Sequence, residues 1–123
     1  IGLDKIKGII YGPHKHMLLA LPVTFSKQTR WVIFLLDAGS DNTYMSEEAL
    51  HKFKHHHHIK SPISLTINGT DHMMVYLPDH GSPYSQINIL GNDFLSLAGA
   101  HIVIDFIEQT FTIEVNGFAP ITT

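Results

Sequence analysis

Apolar residues occur along this chain in short blocks, each cut off by turn-forming residues. The block WVIFLLD (31–37) is continuous, rich in aromatic and β-branched side chains, and ends on one carboxylate. A run that short and that apolar predicts a buried strand. Upstream, HMLLALPVTFS predicts a strand over 17–25, with Pro22 marking an edge or a bulge, and SKQTR is a polar turn between the two. Residues 42–45 read as a further short strand, and SEEALHKF places a serine and two acids before an apolar face, the signature of a helix start of one or two turns. ISLTI (63–67) alternates as a strand does, Asn68-Gly69 is a hairpin turn, and HMMVYLP is its partner. INILG is a strand that stops at Gly91, and NDFLSLAG is a short helix that stops at Gly99. HIVIDFIEQTFTIEV predicts two strands about a tight turn at 107–110. No long helical period occurs, so the chain is expected to be all-β, with strand spacing suited to a small barrel or sandwich.

Bulk properties narrow the function classes. The 123 residues suit one domain, and 44% hydrophobic with 15% charged residues is enough for a real core. Residues 1–16 read as an irregular or strand-like lead-in and 17–123 as the domain. No apolar run approaches the roughly 20 residues of a membrane span, so no membrane partner is expected. With eight Lys plus Arg in all and a net charge of −3, the clustered cations of a nucleic-acid binder are missing. There are no cysteines, which excludes disulfides and thiolate chemistry. With no signal-like opening segment, an intracellular, cytoplasmic location is expected.

Two motifs carry the chemistry. LLDAGSDNTYMS (35–46) and, later in the chain, INILGNDFL (87–95) together resemble the retropepsin family, the aspartic proteases of retroviruses, retrotransposons and their cellular relatives. The first motif matches at Leu35, Leu36, Asp37, Gly39 and Ser40, and the second at Ile89, Leu90, Gly91, Asp93 and Leu95. The closing stretch IVIDFIEQTFTI is similar to that of the cellular and retrotransposon branch. The resemblance implies a retropepsin-like acid-protease half-barrel with one short helix at 92–98, paired as a symmetric homodimer. It implies that each subunit supplies one catalytic aspartate, Asp37, framed by Ala38 and Gly39, while Gly91 and Asp93 build the second motif. Gly39 would let the backbone turn so that the carboxylate reaches the two-fold axis. Neither a metal nor a cofactor is called for, and the implied partners are a second copy and a peptide or protein ligand.

Three departures bear on activity. Ala38 stands where the family has Thr or Ser, so a hydroxyl that donates across the dimer is lost, at about 1–3 kcal/mol for each partner left unpaired. HKFKHHHHIKSP is too short for the family's glycine-bearing flap hairpin and holds no glycine. Asn92 replaces the frequent Arg of the second motif. Two functions are therefore carried forward: an aspartic endopeptidase, and an inactive dimerisation or protein-binding scaffold within a larger protein.

Other residues read as structural. His55–His58 alternate in direction if extended, which specifies no metal site of ordinary geometry. His14 and His16 are expected at the surface, Met73, Met74 and Tyr76 in a sheet, and Tyr84 in a loop. Asp105 is expected to face solvent or to serve a turn. Asn68-Gly69-Thr70 matches the N-glycosylation pattern.

Overall fold

In the computed structural model, which describes residues 2–53, 59–79, 81–83 and 85–115, the apolar blocks become nine strands and two short helices. The strands are β1 (Lys5–Tyr11), β2 (His16–Phe25), β3 (Gln28–Leu36), β4 (Thr43–Tyr44), β5 (Ile63–Ile67), β6 (Thr70–Tyr76), β7 (Ile89–Leu90), β8 (Ala100–Asp105) and β9 (Thr110–Val115). The helices are α1 (Glu47–His51) and α2 (Asn92–Leu97), so two helices stand where the family resemblance implied one. Ser46 starts α1: its hydroxyl accepts from the Ala49 N–H at 3.1 Å, with Glu47 and Glu48 in the favourable first turn. None of the described helices is long and apolar enough to cross a membrane.

The strand order β3-β7-β4-β6-β5-β2, closed by the β2–β3 pairing, makes a six-stranded barrel. β2 serves two partners along its free side. Met17 and Leu18 pair with β1, while Val23 and Thr24 pair with β5. Pro22 lies at this handover: its carbonyl accepts from the Asn68 N–H at 2.8 Å, and its missing donor falls just past the end of β5. β1, inside the stretch read as a lead-in, runs between β2 and β9 as part of the same sheet, which then ends at β8.

Alternation follows from pleating. In β1, Ile6 and Ile10 are buried while Lys5, Lys7 and Ile9 are exposed. The barrel is filled by side chains with no accessible surface, among them Leu21, Val23, Phe34, Ile67, Leu90 and Phe94. At roughly 1.5–3 kcal/mol for each large apolar side chain, this burial dominates stability. Met73 belongs to that core, Met74 is exposed and Tyr76 half-buried.

The Asn68-Gly69 turn has φ of 48° and 78°, as a two-residue hairpin turn requires. Asn68 does more than turn the chain. Its side chain accepts from the Leu3 N–H at 2.7 Å and donates to the Leu3 carbonyl at 3.0 Å, so the amide is buried and already paired at a position that matches the glycosylation pattern. His14 and His16 stack loosely at the surface, rings 5.9 Å apart and tilted by 54°. His55–His58, Tyr84 and residues 116–123 lie outside the described residues.

Candidate active site

Asp37 sits where β3 runs out of partners. The last two residues of β3 pair in parallel with β7, Leu35 with Ile89 and Leu36 with Leu90. The chain then loops through 37–42 and returns as β4, which pairs with the other side of β7. The two-residue β7 therefore lies between the strands that the 37–42 loop connects, and the loop must arch over its end. The two sequence motifs meet here. They are distant in the chain and adjacent in space.

Several hydrogen bonds fix the arch from below. The Asp37 N–H donates to the Leu90 carbonyl at 3.0 Å, and the Asn92 N–H donates to the Ser40 carbonyl at 2.7 Å. The Gly91 N–H donates to the Thr43 hydroxyl oxygen at 3.1 Å. Gly91 itself is demanded by space. A Cβ there would fall 2.2 Å from the Asn42 carbonyl oxygen and 2.9 Å from that of Ser40. Its backbone is extended, with φ −98° and ψ −177°, so crowding rather than conformational freedom selects glycine.

Asp93 is a clamp on this arrangement. One carboxylate oxygen accepts from the Thr43 hydroxyl at 2.6 Å and from the Phe94 N–H at 2.8 Å, and the other accepts from the Thr43 N–H at 3.1 Å. Thr43, fully buried, passes the connection on to Gly91. The carboxylate thus ties β4 to the first turn of α2, whose N-cap residue Gly91 has no side chain to do so.

Above the arch the chemistry is bare. Asp37, Ala38 and Gly39 are all exposed. One Asp37 carboxylate oxygen accepts from the Gly39 N–H at 3.0 Å, and the Ser40 N–H closes the turn on the Asp37 carbonyl at 3.0 Å. The second carboxylate oxygen has no hydrogen-bond partner among the described residues. Gly39 differs from the expectation. Its φ is not in the left-handed region, and a Cβ there would meet only the Asp37 carboxylate, at 3.3 Å. The chain's own turn does not require glycine at 39; glycine instead leaves the outer surface of the loop uncovered.

Two residues inside the motif stretches, but not among their matching positions, complete the support. Asn88 gives its carbonyl to the Leu35 N–H at 2.8 Å, donates its amide to the Ile33 carbonyl at 3.0 Å and accepts from the Ser46 N–H at 2.8 Å. Thr43 and Asn88 were missed in the sequence. The signal was a polar residue set among apolar ones, NTYM and INIL, which marks a polar group that finds a partner within the fold; Thr43 is fully buried and Asn88 half-buried. Asp105 is exposed and accepts from the Ile107 and Glu108 N–H groups, each at 3.0 Å, so it serves a turn. Two hollows of about 550 Å³ each lie elsewhere, one between α1 and the segment following β6, the other beside the Asn68 turn, and neither is lined by Asp37.

No family model matches this chain, and no curated protein does. Among solved structures, the fold is similar to a retropepsin-like aspartic protease from Rickettsia conorii, with TM-score 0.55, 16% sequence identity and 90% of each chain covered. At that identity the likeness speaks for the fold: an all-β, retropepsin-like barrel.

Proposed function

Starting from a retropepsin-like barrel with a bare aspartate loop, we propose that the chain works as a symmetric homodimer in which Asp37 of each copy forms one catalytic carboxylate pair that hydrolyses peptide bonds. The observation that carries the reading is the contrast across the 37–42 loop. Its underside is bonded into β7 and crowded against Gly91, while Asp37, Ala38 and Gly39 on its outer side are open to solvent with one carboxylate oxygen unused. A loop bonded into the barrel from below, with a carboxylate oxygen unused on its outer side, is suited to present that group to a second molecule.

The chemistry follows from bringing two such carboxylates together. They cannot both ionise a few ångströms apart, so the pair shares a proton. The ionised partner takes a proton from a water held between them, and that water attacks the scissile carbonyl carbon. The protonated partner donates to the carbonyl oxygen, giving a tetrahedral diol. Collapse of the diol breaks the C–N bond: the leaving nitrogen takes a proton from the protonated carboxyl while a diol hydroxyl returns one to the ionised carboxylate, so the pair ends with the one proton it began with. Each Gly39 N–H, donating to its own Asp37, holds a carboxylate in orientation through the cycle.

The second reading is an inactive dimerisation or protein-binding scaffold, and two observations favour it. Ala38 has no hydroxyl with which to bond across a dimer. The segment HKFKHHHHIKSP between α1 and β5 holds no glycine and is too short for a hairpin that covers Asp37 and excludes water, which efficient peptide hydrolysis needs. The discriminating experiment is turnover of a broad peptide library at about pH 5, where one of two facing carboxylates still holds a proton. Cleavage by the native chain that disappears in Asp37→Asn supports the protease. No cleavage by either, with both dimeric by light scattering, supports the scaffold, and a strict monomer overturns both.

A further inference from the structure

β3 is paired along one side and, on the other, only at its end. It pairs with β2 from Gln28 to Leu35, whereas β7 reaches only Leu35 and Leu36. The segment before β7 turns away, since Ser85 and Gln86 line the hollow beside α1. Among the described residues, 29–33 therefore form an open strand edge. Three bonds fix which way its backbone points. In an antiparallel ladder, facing residues either exchange both bonds or turn both away. The Leu35 N–H donates to the Asn88 carbonyl, the Ile33 carbonyl accepts from the Asn88 amide, and the Pro22 carbonyl accepts from the Asn68 N–H. The pairs Leu18–Leu35, Ala20–Ile33 and Pro22–Trp31 are thus of the second kind. The N–H and C=O of Trp31 and the N–H of Ile33 point out of the sheet edge, with no partner among the described residues. Trp31 is 66% exposed and Ile33 65%. Edges of this kind are commonly blunted by lysine or proline, and β3 holds neither.

We infer that residues 29–33 of β3 take an extended peptide as an added strand, and that this ligand alternates acidic with apolar side chains. Trp31 lies about 20 Å along the strand from Asp37, and β7 closes the edge between them. The site therefore holds a part of the ligand remote from any cleavage, and it stands whether the chain cleaves its partner or only binds it.

The pleat sets the alternation. Trp31 and Ile33 stand on the outer face of the barrel, and Arg30, also exposed, points to the other side. The side chains of an added strand fall alternately beside Trp31 and Ile33 and beside Arg30. Charge selects acids for the second set. Residues 5–36 hold five of the chain's eight Lys and Arg and none of its eleven Asp and Glu, so that stretch carries +5, while the remaining three cations and eleven acids carry −8. Lys27 stands in the turn that joins β2 to β3, and neither it nor Arg30 has an ion pair among the described residues. The acid that shares a hollow with this turn, Asp71, already accepts from the Thr66 hydroxyl at 2.9 Å. The same charge argues against a second copy of β3, which would bring the same cations to a shared edge. A lipid surface would meet the side chains but leave the Trp31 and Ile33 backbone groups unpaired, so the edge favours a peptide.

Trp31 is the chain's only tryptophan, so its emission reads this edge directly. The probe is a short synthetic peptide of alternating glutamate and valine, titrated into the native chain at neutral pH, with the matching lysine–valine peptide as control. The expected result is a saturable blue shift of the Trp31 emission with the glutamate peptide, at a dissociation constant at least about tenfold below that of the lysine peptide. Amide exchange at Trp31 and Ile33 should slow at least about tenfold on binding, because an added strand takes up their N–H groups. Arg30→Glu changes an exposed side chain and should reverse the order of the two peptides. Equal affinity for both peptides, or no reversal in Arg30→Glu, overturns the choice of an acidic ligand. A shift without slowed exchange overturns strand addition. No shift with either peptide overturns the site, and a shift with vesicles of phosphatidylcholine and phosphatidylserine alone assigns the face to a lipid surface instead. None of these failures touches the Asp37 reading, which cleavage and dimerisation test separately.

Discussion

Replacing Gly91 by alanine tests whether the floor of the Asp37 loop is fixed by contact or only by habit of sequence. The new methyl would overlap the backbone carbonyls of Asn42 and Ser40, at 2.2 and 2.9 Å, and backbone cannot swing aside as a side chain does. Relieving the overlap means lifting the loop off β7. That stretches the Asn92 N–H bond to Ser40, now 2.7 Å, and the Gly91 N–H bond to Thr43, now 3.1 Å. Overpacking of this kind costs about 1–3 kcal/mol and each of the two weakened hydrogen bonds about 0.5–1.5, so the loss should be about 2–6 kcal/mol. In urea, with a slope of about 1–3 kcal/mol per molar, the unfolding midpoint should fall by roughly 1–3 M. The control is Gly39→Ala. Its Cβ meets only the Asp37 side chain at 3.3 Å, in backbone that any residue adopts, so stability should change by less than about 1 kcal/mol. A Gly91→Ala midpoint within error of the native chain, or a larger loss at Gly39 than at Gly91, would refute the argument.

Other substitutions probe the remaining links. Asp93→Asn puts an amide where Thr43 and Phe94 now donate, so at least one donor loses its acceptor; a loss of about 1.5–3 kcal/mol is expected by denaturant unfolding, and a silent change would mean that the clamp is unimportant. Asn68→Ala removes both bonds to Leu3 and strands an alanine at positive φ; about 2–4 kcal/mol should be lost, with faster amide exchange at Leu3, whereas unchanged exchange there would exclude a role in holding the N-terminal segment. Ser26 and Lys27 occupy left-handed backbone between β2 and β3, so Ser26→Asn with Lys27→Gly should raise stability by about 1–2 kcal/mol, measured as a higher urea midpoint; a fall would show that these residues make contacts the turn needs. Ala38→Thr restores the hydroxyl and, on the homodimer reading, should tighten association by about 1–3 kcal/mol for two symmetric bonds, read by sedimentation equilibrium; an unchanged constant would place residue 38 away from the subunit interface.

The strands were legible because their cause is local. A block such as WVIFLLD, or the alternation in ISLTI, fixes a period that only an extended chain satisfies against one core, and the elements appear at or near those positions. Turn chemistry was legible for the same reason at Asn68-Gly69 and at the Ser46 start of α1. The two halves of the candidate site were visible as motifs, and the family resemblance put them in one protein. Their reasons were less legible. Gly39 was expected to let the backbone turn toward a two-fold axis, and its φ lies outside the left-handed region; Gly91 is the glycine that space requires. Thr43 and Asn88 drew no notice, since such a threonine or asparagine is identified by its partners, and those partners lie on other elements.

By itself, then, the sequence determined where the chain is extended, where it turns, and that one aspartate ends an apolar strand. Only the tertiary structure decided that β7 lies between β3 and β4, which makes Gly91 a steric necessity, turns Asp93 into a clamp on Thr43, and leaves Asp37 facing outward. The physical reason is range. Periodicity, caps and turns act over a few residues, whereas the crowding of Gly91 by the Asn42 carbonyl, 2.2 Å from where a Cβ would stand, or a bond spanning fifty residues from Thr43 to Asp93, exists only once the barrel has closed.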